Sequence, residues 1–401
     1  MTASVDAVAA LPPVRQARAW LERFDSETLS WQRTIAAVPA PTGQERRRAD
    51  LVGGKLADLG LGAARRDAAG NLIARLGGSG DDPSPGVVIA AHLDTVFAED
   101  TDLTVRQHGA RLIAPGISDN ARGLAGLLAV AGACRSAGIA PATPITFVAT
   151  TGEEGAGDLA GARHLFADDA FRPLAFIALD GAGVERVVHR ALGSRRLRAA
   201  YRGPGGHSWA AFGVANPAHA VGLAAAAIGE LPLPAAPRTT ASVVRIGGGS
   251  GLNTIPQEAW LELDLRSESE AALDALYGAA SEALARALDG ANRRRSAGTP
   301  PLTLQIVPLG SRPSGVTDAG HALVQGAVAA TRAVGHAADL AAASTDANVA
   351  ISRGVPGIAL GAGGRGGNTH LTSEWYENVD GPAGPYRALL VACTMAGLAT
   401  S

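Results

Sequence analysis

Short apolar runs alternate with longer amphipathic segments through the first 180 residues of the chain. Val87–Ala91 and Leu174–Leu179 are apolar throughout, and Ile145–Ala149 is apolar except for Thr146. Such runs are typical of strands buried on both faces of a sheet. Between the first two runs, apolar residues recur at helical spacing at Leu124, Leu127, Leu128, Ala131 and Cys134. Strands that alternate with helices in this way predict an α/β fold with a mixed, mostly parallel sheet flanked by helices.

An earlier helix and strand are predicted before the first of these runs. Thr42 and Glu45 have the spacing of a capping box, in which each side chain bonds the other residue's backbone. This spacing predicts a helix that begins there and ends near Gly60. Asn71–Leu76 reads as the strand that follows it.

The pattern changes after about residue 190. Asn216 and Pro217 suit the N-cap and first position of an Ala-rich helix, and a second helix is predicted from about Glu270 to Leu288. The predicted strands of this region are Arg195–Tyr201, Ser242–Ile246, Ala259–Arg266 and Leu302–Val307. The resulting order, βαββαβ, predicts a small α+β sandwich inserted into the larger domain.

The α/β pattern resumes near the C-terminus, with a helix near Asp346–Arg353, the strand Gly357–Leu360 and a helix near Tyr386–Leu398. A length of 401 residues fits two or three domains. We therefore expect one domain made of residues 1–190 and 313–401, interrupted by an inserted domain at 191–312.

The composition argues against several classes of protein. The 35 Lys and Arg against 37 Asp and Glu give a net charge of −2, so a sequence-independent nucleic-acid binder is not expected. The two cysteines, Cys134 and Cys393, are too few for a disulfide framework or a cysteine-based zinc site. Neither a signal peptide nor a membrane span is expected, which indicates a soluble cytoplasmic protein.

Acidic residues and histidines follow the predicted strands. His92 and Asp94 follow the first apolar run, the adjacent Glu153 and Glu154 follow the second, and Asp180 follows the third. Ligands bind at the carboxyl ends of strands in α/β sheets, so these side chains are expected to converge. Two further candidates are Asp119, which also fits a helix N-cap, and His370, just past the Gly-rich segment 361–367. Two histidines with three carboxylates suit two zinc ions.

With these residues in place, the chain resembles the dizinc metallopeptidase family that includes peptidase T, carboxypeptidase G, carnosinase, acetylornithine deacetylase and succinyl-diaminopimelate desuccinylase. The resemblance spans essentially the whole chain. It implies a zinc exopeptidase-like catalytic domain with an inserted ferredoxin-like lid and dimerisation domain. The matching motifs are Ala91–Val96, Gly116–Asn120, Gly152–Gly155, Leu179–Gly181, Gly205–Ser208, Asn253–Pro256 and Asn368–His370. The segment Ser344–Ala347 resembles a further family loop, for which we expect a structural role.

The resemblance implies two Zn²⁺ per subunit, for which Mn²⁺ or Co²⁺ are possible substitutes. It implies Glu153 as the general base of amide hydrolysis and Asp94 as the support of a zinc-binding histidine. It also implies a cis peptide between Asp119 and Asn120. The implied ligands are His92 and Asp180 for the first ion, Glu154 and His370 for the second, and Asp119 bridging both.

Three residues of the inserted domain resemble residues that act on substrate. His207 resembles the lid histidine that reaches the partner subunit's active site and stabilises an oxyanion, although a histidine beside two glycines also fits a turn. Asn253 and Arg266 resemble residues that grip substrate. An arginine suits a carboxylate, while a solvated strand position is the alternative for Arg266. A homodimer through the lid is therefore expected.

Asp180 bears on the choice between branches of the family. The resemblance implies Asp at this position in members that act on free amino termini, and Glu in the deacylases and carboxypeptidase G. A peptidase T-like aminopeptidase or dipeptidase acting on short peptides is thus favoured. The alternatives are an N-acyl amino acid amidohydrolase, a carboxypeptidase G-like enzyme, and a zinc-dependent binding protein without turnover.

Overall fold

The computed structural model describes residues 4–77 and 84–398. Its helices are α1 (Val5–Ala9), α2 (Pro12–Arg23), α3 (Asp25–Ala36), α4 (Arg46–Leu56), α5 (Ala121–Ser136), α6 (Ala160–Leu165), α7 (Pro217–Gly229), α8 (Glu270–Arg293), α9 (Ala322–Ala333), α10 (Ala347–Ser352) and α11 (Ala383–Ala396). A π-helical turn, Ala57–Leu61, follows α4, and Gly155–Gly157 forms a 3₁₀ turn.

The strands are β1 (Arg65–Arg66), β2 (Leu72–Leu76), β3 (Val87–His92), β4 (Arg106–His108), β5 (Arg111–Ile113), β6 (Ile145–Thr150), β7 (Ala175–Leu179), β8 (Arg186–Ala191), β9 (Gly193–Arg202), β10 (Gly206–His207), β11 (Thr239–Gly248), β12 (Thr254–Ile255), β13 (Glu258–Ser267), β14 (Thr303–Arg312), β15 (Gly315–Val316), β16 (Asp339–Ala343), β17 (Gly357–Leu360), β18 (Arg365–Gly367) and β19 (Trp375–Glu377). They belong to two compact units, of which the first comprises Met1–Ala191 with Val316–Ser401 and the second Leu192–Gly315.

A mixed sheet forms the centre of the first unit, with β2, β6, β3, β7, β17 and β8 side by side in that order. The pairs β3–β6, β3–β7 and β7–β17 are parallel, while β2–β6 and β8–β17 are antiparallel. Every residue of β3 and β6 is buried, because helices cover both faces of the sheet. Helices α5 and α11 pack on one face, and α6 and α10 pack on the other. The predicted fold class is confirmed.

The second unit has a four-stranded antiparallel sheet in the order β11, β13, β9, β14. Helices α7 and α8 pack on it through a core that includes Leu197, Tyr201 and Leu284. Asn216 caps α7 by accepting a hydrogen bond from the backbone N–H of Ala218, as its position before Pro217 predicts. The βαββαβ order with this strand arrangement is ferredoxin-like.

Among the described residues, no helix combines the length and apolar character that crossing a membrane requires.

Candidate dinuclear metal centre

Three neighbouring parallel strands bring the predicted acidic residues and histidines to one edge of the main sheet. His92 ends β3 and is in register with Thr150, which ends β6. Glu153 and Glu154 follow β6 within four residues, and Asp180 directly follows β7. The carboxyl ends of β6, β3 and β7 therefore place these side chains together, as parallel pairing requires.

Five of the predicted side chains form two groups that share one carboxylate. In the first group, Nε2 of His92 lies 3.0 Å from Oδ1 of Asp119 and 3.9 Å from Oδ1 of Asp180. In the second, Nε2 of His370 lies 2.9 Å from Oε1 of Glu154 and 3.3 Å from Oδ2 of Asp119. Because Asp119 directs a different oxygen into each group, it occupies the position of a bridging ligand.

The donor set of each group suits a divalent metal ion. The ligand atoms within each group lie within 4.8 Å of one another, and His92 forms a third such group with Glu153 and Glu154. Imidazole nitrogen and carboxylate oxygen are ligands that zinc accepts, and a metal ion would offset the repulsion between crowded carboxylates. The arrangement therefore fits two ions with Asp119 between them.

Asp119 is available as a ligand because the next residue caps the helix. The side chain of Asn120 accepts hydrogen bonds from the backbone N–H groups of Gly123 and Gly181, each at 3.1 Å. The alternative role for Asp119, an N-cap of α5, is therefore wrong. The Asp119–Asn120 peptide is cis, as the resemblance implies.

Asp94 connects the strand end that carries His92 to the one that carries the two glutamates. Its backbone carbonyl lies 3.1 Å from Nδ1 of His92, which leaves Nε2 facing Asp119. Its carboxylate accepts backbone N–H bonds from Glu153 and Glu154, both at 2.9 Å. Burial alone would raise the pKa of Asp94, but hydrogen bonds from His92 and the backbone hold it below its ordinary value.

Thr42 and Glu45 do not form the predicted capping box. Helix α4 begins at Arg46 without a side-chain cap. The Thr42 hydroxyl instead donates to Asp94 at 2.9 Å, and the buried Glu45 carboxylate accepts backbone N–H bonds from Gly43 and Gly152. Both side chains therefore brace the loops of the site, a role that their spacing along the chain does not reveal.

The second unit brings together two of its three predicted site residues. His207 lies on β10, which pairs with β12, and the backbone carbonyl of Asn253 accepts a hydrogen bond from Ser208 at 2.8 Å. His207 is exposed, and its Nδ1 accepts a bond from the Trp209 backbone. Arg266 lies on β13, where its guanidinium forms three hydrogen bonds with Asp264, which lies two residues earlier on that strand.

Residues 88–386 match the family described as Peptidase family M20/M25/M40. The chain belongs to this family. It is therefore a hydrolase of a family of peptidases and amidohydrolases, and the predicted resemblance is confirmed. No curated protein sequence matches the chain.

Solved structures of several hydrolases share the fold. Aminopeptidase PepT from Bacillus cereus ATCC 10987 is 22% identical with a TM-score of 0.70, over 94% of this chain and 98% of PepT. A tripeptidase from Staphylococcus aureus is 21% identical with a TM-score of 0.73, over 92% and 98% of the two chains. A hydantoinase/carbamoylase family amidase from Burkholderia ambifaria is 20% identical with a TM-score of 0.63, over 100% of both. At these identities the likeness concerns the fold alone.

Two buried carboxylates near the centre of this M20-family hydrolase are absent from the predicted site. Asp346 accepts a 2.5 Å hydrogen bond from Thr150, and burial raises its pKa to about 6. Glu374 accepts hydrogen bonds from the backbone that leads to Asp119. The family-like segment Ser344–Ala347 was a signal for Asp346, whereas Glu374 lies outside every motif.

Arg48 is fully buried beneath the first loop of the centre. Its guanidinium donates two hydrogen bonds to the carbonyl of Val38 and one to the carbonyl of Leu93, next to Asp94. We expect Arg48→Met to lower the free energy of unfolding of the metal-free protein by about 3 kcal/mol, because the buried carbonyl of Leu93 and the partly buried carbonyl of Val38 lose their donor. Urea unfolding followed by circular dichroism measures the change.

Arg47 on the same helix provides the matched control. It is exposed and pairs with Glu99 at the surface, so Arg47→Met is expected to change the free energy of unfolding by less than about 1 kcal/mol. Equal effects of the two substitutions would contradict the bracing role of Arg48.

The protonation of the histidines predicts a pH dependence of metal binding. Hydrogen bonds to Asp119 and Glu154 raise the pKa of His370 to about 10 in the metal-free protein. Burial would lower the pKa of His92, but its contacts with Asp119 and other carboxylates raise it well above its ordinary value. Both rings are therefore in the imidazolium form at neutral pH, and a metal ion must displace the proton on the nitrogen that it binds.

Because each metal ion displaces a histidine proton, raising the pH favours metal binding. The effect ends above the pKa of the histidines, where they are already deprotonated in the metal-free protein. We expect the affinity for each ion to rise about tenfold per pH unit between about pH 6 and pH 8. Calorimetric titration in buffers of different ionisation enthalpy counts the protons released. Binding without proton release would contradict the protonated state of the metal-free site.

Proposed function

We propose that this hydrolase is a dizinc aminopeptidase that removes N-terminal residues from short peptides, as peptidase T-like enzymes do. The observation that carries the proposal is the shared position of Asp119 between the His92–Asp180 pair and the Glu154–His370 pair. The presence of Asp at position 180, the marker of the aminopeptidase branch, supports the choice of substrate. The solved PepT and tripeptidase, which share the fold, agree with it.

In the proposed reaction, Glu153 acts as the general base. Two zinc ions, when bound, supply Lewis acidity that lowers the pKa of a water molecule and polarises the scissile carbonyl. Glu153 is buried, lies among the ligand atoms of His92 and Glu154, and has its backbone fixed by Asp94. Its carboxylate takes a proton from the water and passes that proton to the leaving amine. Asp94 keeps the His92 ring in the orientation that presents Nε2 to the metal.

Residues of the second unit are proposed to bind substrate. His207 supplies a donor to the oxyanion that forms on the attacked carbonyl. Asn253 lies close to it, because Asn253 directly precedes Thr254, the residue paired with His207. Arg266 binds the terminal carboxylate of the peptide through its planar guanidinium. Asp264 already holds this guanidinium in one orientation, which reduces the cost of ordering it on binding.

We also propose that the protein is a homodimer through the second unit, in which His207 serves the partner's site. The edge strand β11 exposes Val244 and Ile246, and such an edge is a template for pairing with a second copy. Pairing of this kind would cover both side chains.

The dimer predicts the effect of a charge on that edge. Ile246→Glu is expected to convert the dimer to a monomer, because it would place a carboxylate in a closely packed, symmetric interface. Sedimentation velocity at several protein concentrations measures the change. Asp339→Asn, an exposed position of the first unit, is the matched control and should leave the dimer intact. A monomeric wild-type protein with full activity would contradict the arrangement.

An N-acyl amino acid amidohydrolase is the second candidate, and a carboxypeptidase G-like enzyme is a variant of it. The same metal ions and the same base would activate a water molecule for attack on a different amide. The specific observation in its favour is that the amidase from B. ambifaria shares the fold over the full length of both chains.

A paired hydrolysis assay tests the choice. Zinc-loaded protein is given Leu-Gly-Gly or N-acetyl-leucine, each with and without a chelator. The proposal expects chelator-sensitive cleavage of the tripeptide and no cleavage of the blocked amino acid. Cleavage of N-acetyl-leucine alone would move the protein to the deacylases and discredit Asp180 as a marker. Failure to cleave any di- or tripeptide with a free amine would overturn the proposal.

A further inference from the structure

A single carboxylate holds the loop that leads to Asp119. Glu374 is fully buried, and its Oε1 accepts backbone N–H bonds from Ser118 at 2.7 Å and Asp119 at 2.8 Å. Its Oε2 accepts the backbone N–H of Gly116 at 3.2 Å. Since buried N–H groups are costly when unpaired, this side chain determines the conformation in which the loop is stable.

Glu374 also belongs to the segment that carries His370. Strands β18 and β19 form an antiparallel hairpin, and the loop between them contains both residues. Within this loop the backbone N–H of Glu374 donates to the carbonyl of Leu371, and its own carbonyl accepts from Ala114. The loop of the hairpin thus presents His370 to the centre. At the end of the same loop, the backbone and side chain of Glu374 are hydrogen-bonded to the segment that leads to Asp119.

These contacts affect the two metal positions unequally. Asp119 and His370 are two of the three side chains of the second group, and Glu374 links the segments that carry both. The first group also depends on Asp119, but its other members, His92 and Asp180, are placed by β3 and β7. A change at Glu374 should therefore disturb the second position more than the first.

We propose that Glu374 is a positioning residue for the second metal ion, because it sets Asp119 relative to His370. The inference rests on the proposed dinuclear centre. Glu374 accepts hydrogen bonds from the backbone of the loop, and it acts on the metal position through Asp119. Residues that support ligands in this way commonly change metal affinity when replaced.

Titration of the metal-free, full-length protein with Co²⁺ tests the proposal. Calorimetry gives the affinities, and the visible absorption spectrum reports the coordination of each ion. In Glu374→Gln an amide N–H₂ replaces one acceptor oxygen and faces backbone donors. We expect the second Co²⁺ to bind about 10–100-fold more weakly, with a smaller change for the first. Glu374→Asp keeps the charge but shortens the reach, and the same selective loss is expected.

Glu377→Gln is the matched control on the same hairpin. Glu377 pairs with Arg111 at the surface, so its replacement should leave both affinities and the spectrum unchanged. Equal affinities in wild type and both Glu374 variants would overturn the positioning role. An equal loss at both positions, accompanied by a lower melting temperature of the metal-free protein, would assign Glu374 a purely structural role and also overturn it. A wild-type protein that binds fewer than two Co²⁺ would overturn the dinuclear centre itself, together with this inference.

Discussion

Replacement of Glu153 by glutamine is expected to lower kcat for Leu-Gly-Gly by roughly 10²–10⁴-fold, the usual contribution of a positioned general base. Glutamine has nearly the same shape and can occupy the same buried position, but it cannot accept the proton of the attacking water. Since Glu153 belongs to neither of the groups that share Asp119, we expect the metal content to stay unchanged. Steady-state kinetics and metal analysis on the same sample measure both quantities.

The adjacent glutamate supplies the control for this result. Glu154 contacts His370 at 2.9 Å, so Glu154→Gln is expected to lower the metal content at the second position. The two neighbouring substitutions should thus separate proton transfer from metal binding. If Glu153→Gln instead loses metal, Glu153 is a ligand and the assignment of the base is wrong. If it retains activity, the protein uses a different base.

Loss of His207 is the second large effect, and mixing two inactive variants reveals which subunit the residue serves. His207→Ala is expected to lower kcat by roughly 10²–10³-fold, as removal of an oxyanion donor does. Coexpression with Glu153→Gln forms mixed dimers. If His207 acts in the partner's site, each mixed dimer contains one site with both an intact base and an intact histidine. Random pairing of the two chains then restores about a quarter of wild-type activity.

The opposite outcome is equally informative. If His207 acts within its own subunit, every site of a mixed dimer lacks one of the two groups, and activity stays at the level of the separate variants. That result, obtained with dimers verified by sedimentation, would contradict the proposed arrangement while leaving the metal centre unaffected. His219, on the exposed surface of α7, provides a control substitution that should leave kcat unchanged.

The strand ends of the site could be predicted from sequence because a buried parallel strand has a distinctive apolar pattern. Val87–Ala91 contains no polar residue and Ile145–Ala149 contains only Thr146, so the histidine and carboxylates that follow these runs stand out. The role of Asp119 is harder to predict from the sequence, because an aspartate at a helix start usually acts as a cap. Only the structure shows that the Asn120 side chain performs the capping.

The braces around the site could not be predicted, because they join residues far apart in the chain. Glu45 bonds Gly152, 107 positions away, and Glu374 bonds Ser118 across 256 positions. The local pattern for Glu45 even favoured a different role, since Thr42 and Glu45 have capping-box spacing.

Buried arginines are a further feature that the sequence conceals. Arg48, Arg122 and Arg387 are fully buried, and each donates to backbone carbonyls of loops in the first unit. Arginine side chains are mostly exposed in proteins, so an arginine in a sequence predicts a position at the surface. The loops around the site leave carbonyls without backbone partners, and the guanidinium groups satisfy them.

The central claim is that two zinc ions lie at the carboxyl ends of β6, β3 and β7 with Asp119 between them. Anomalous diffraction at the zinc edge, from crystals of the zinc-loaded protein, tests it most directly. Two peaks about 3.5–4 Å apart, both next to Asp119, are expected. One should contact His92 and Asp180, and the other Glu154 and His370. A single peak, or two peaks that do not share Asp119, would contradict the dinuclear centre.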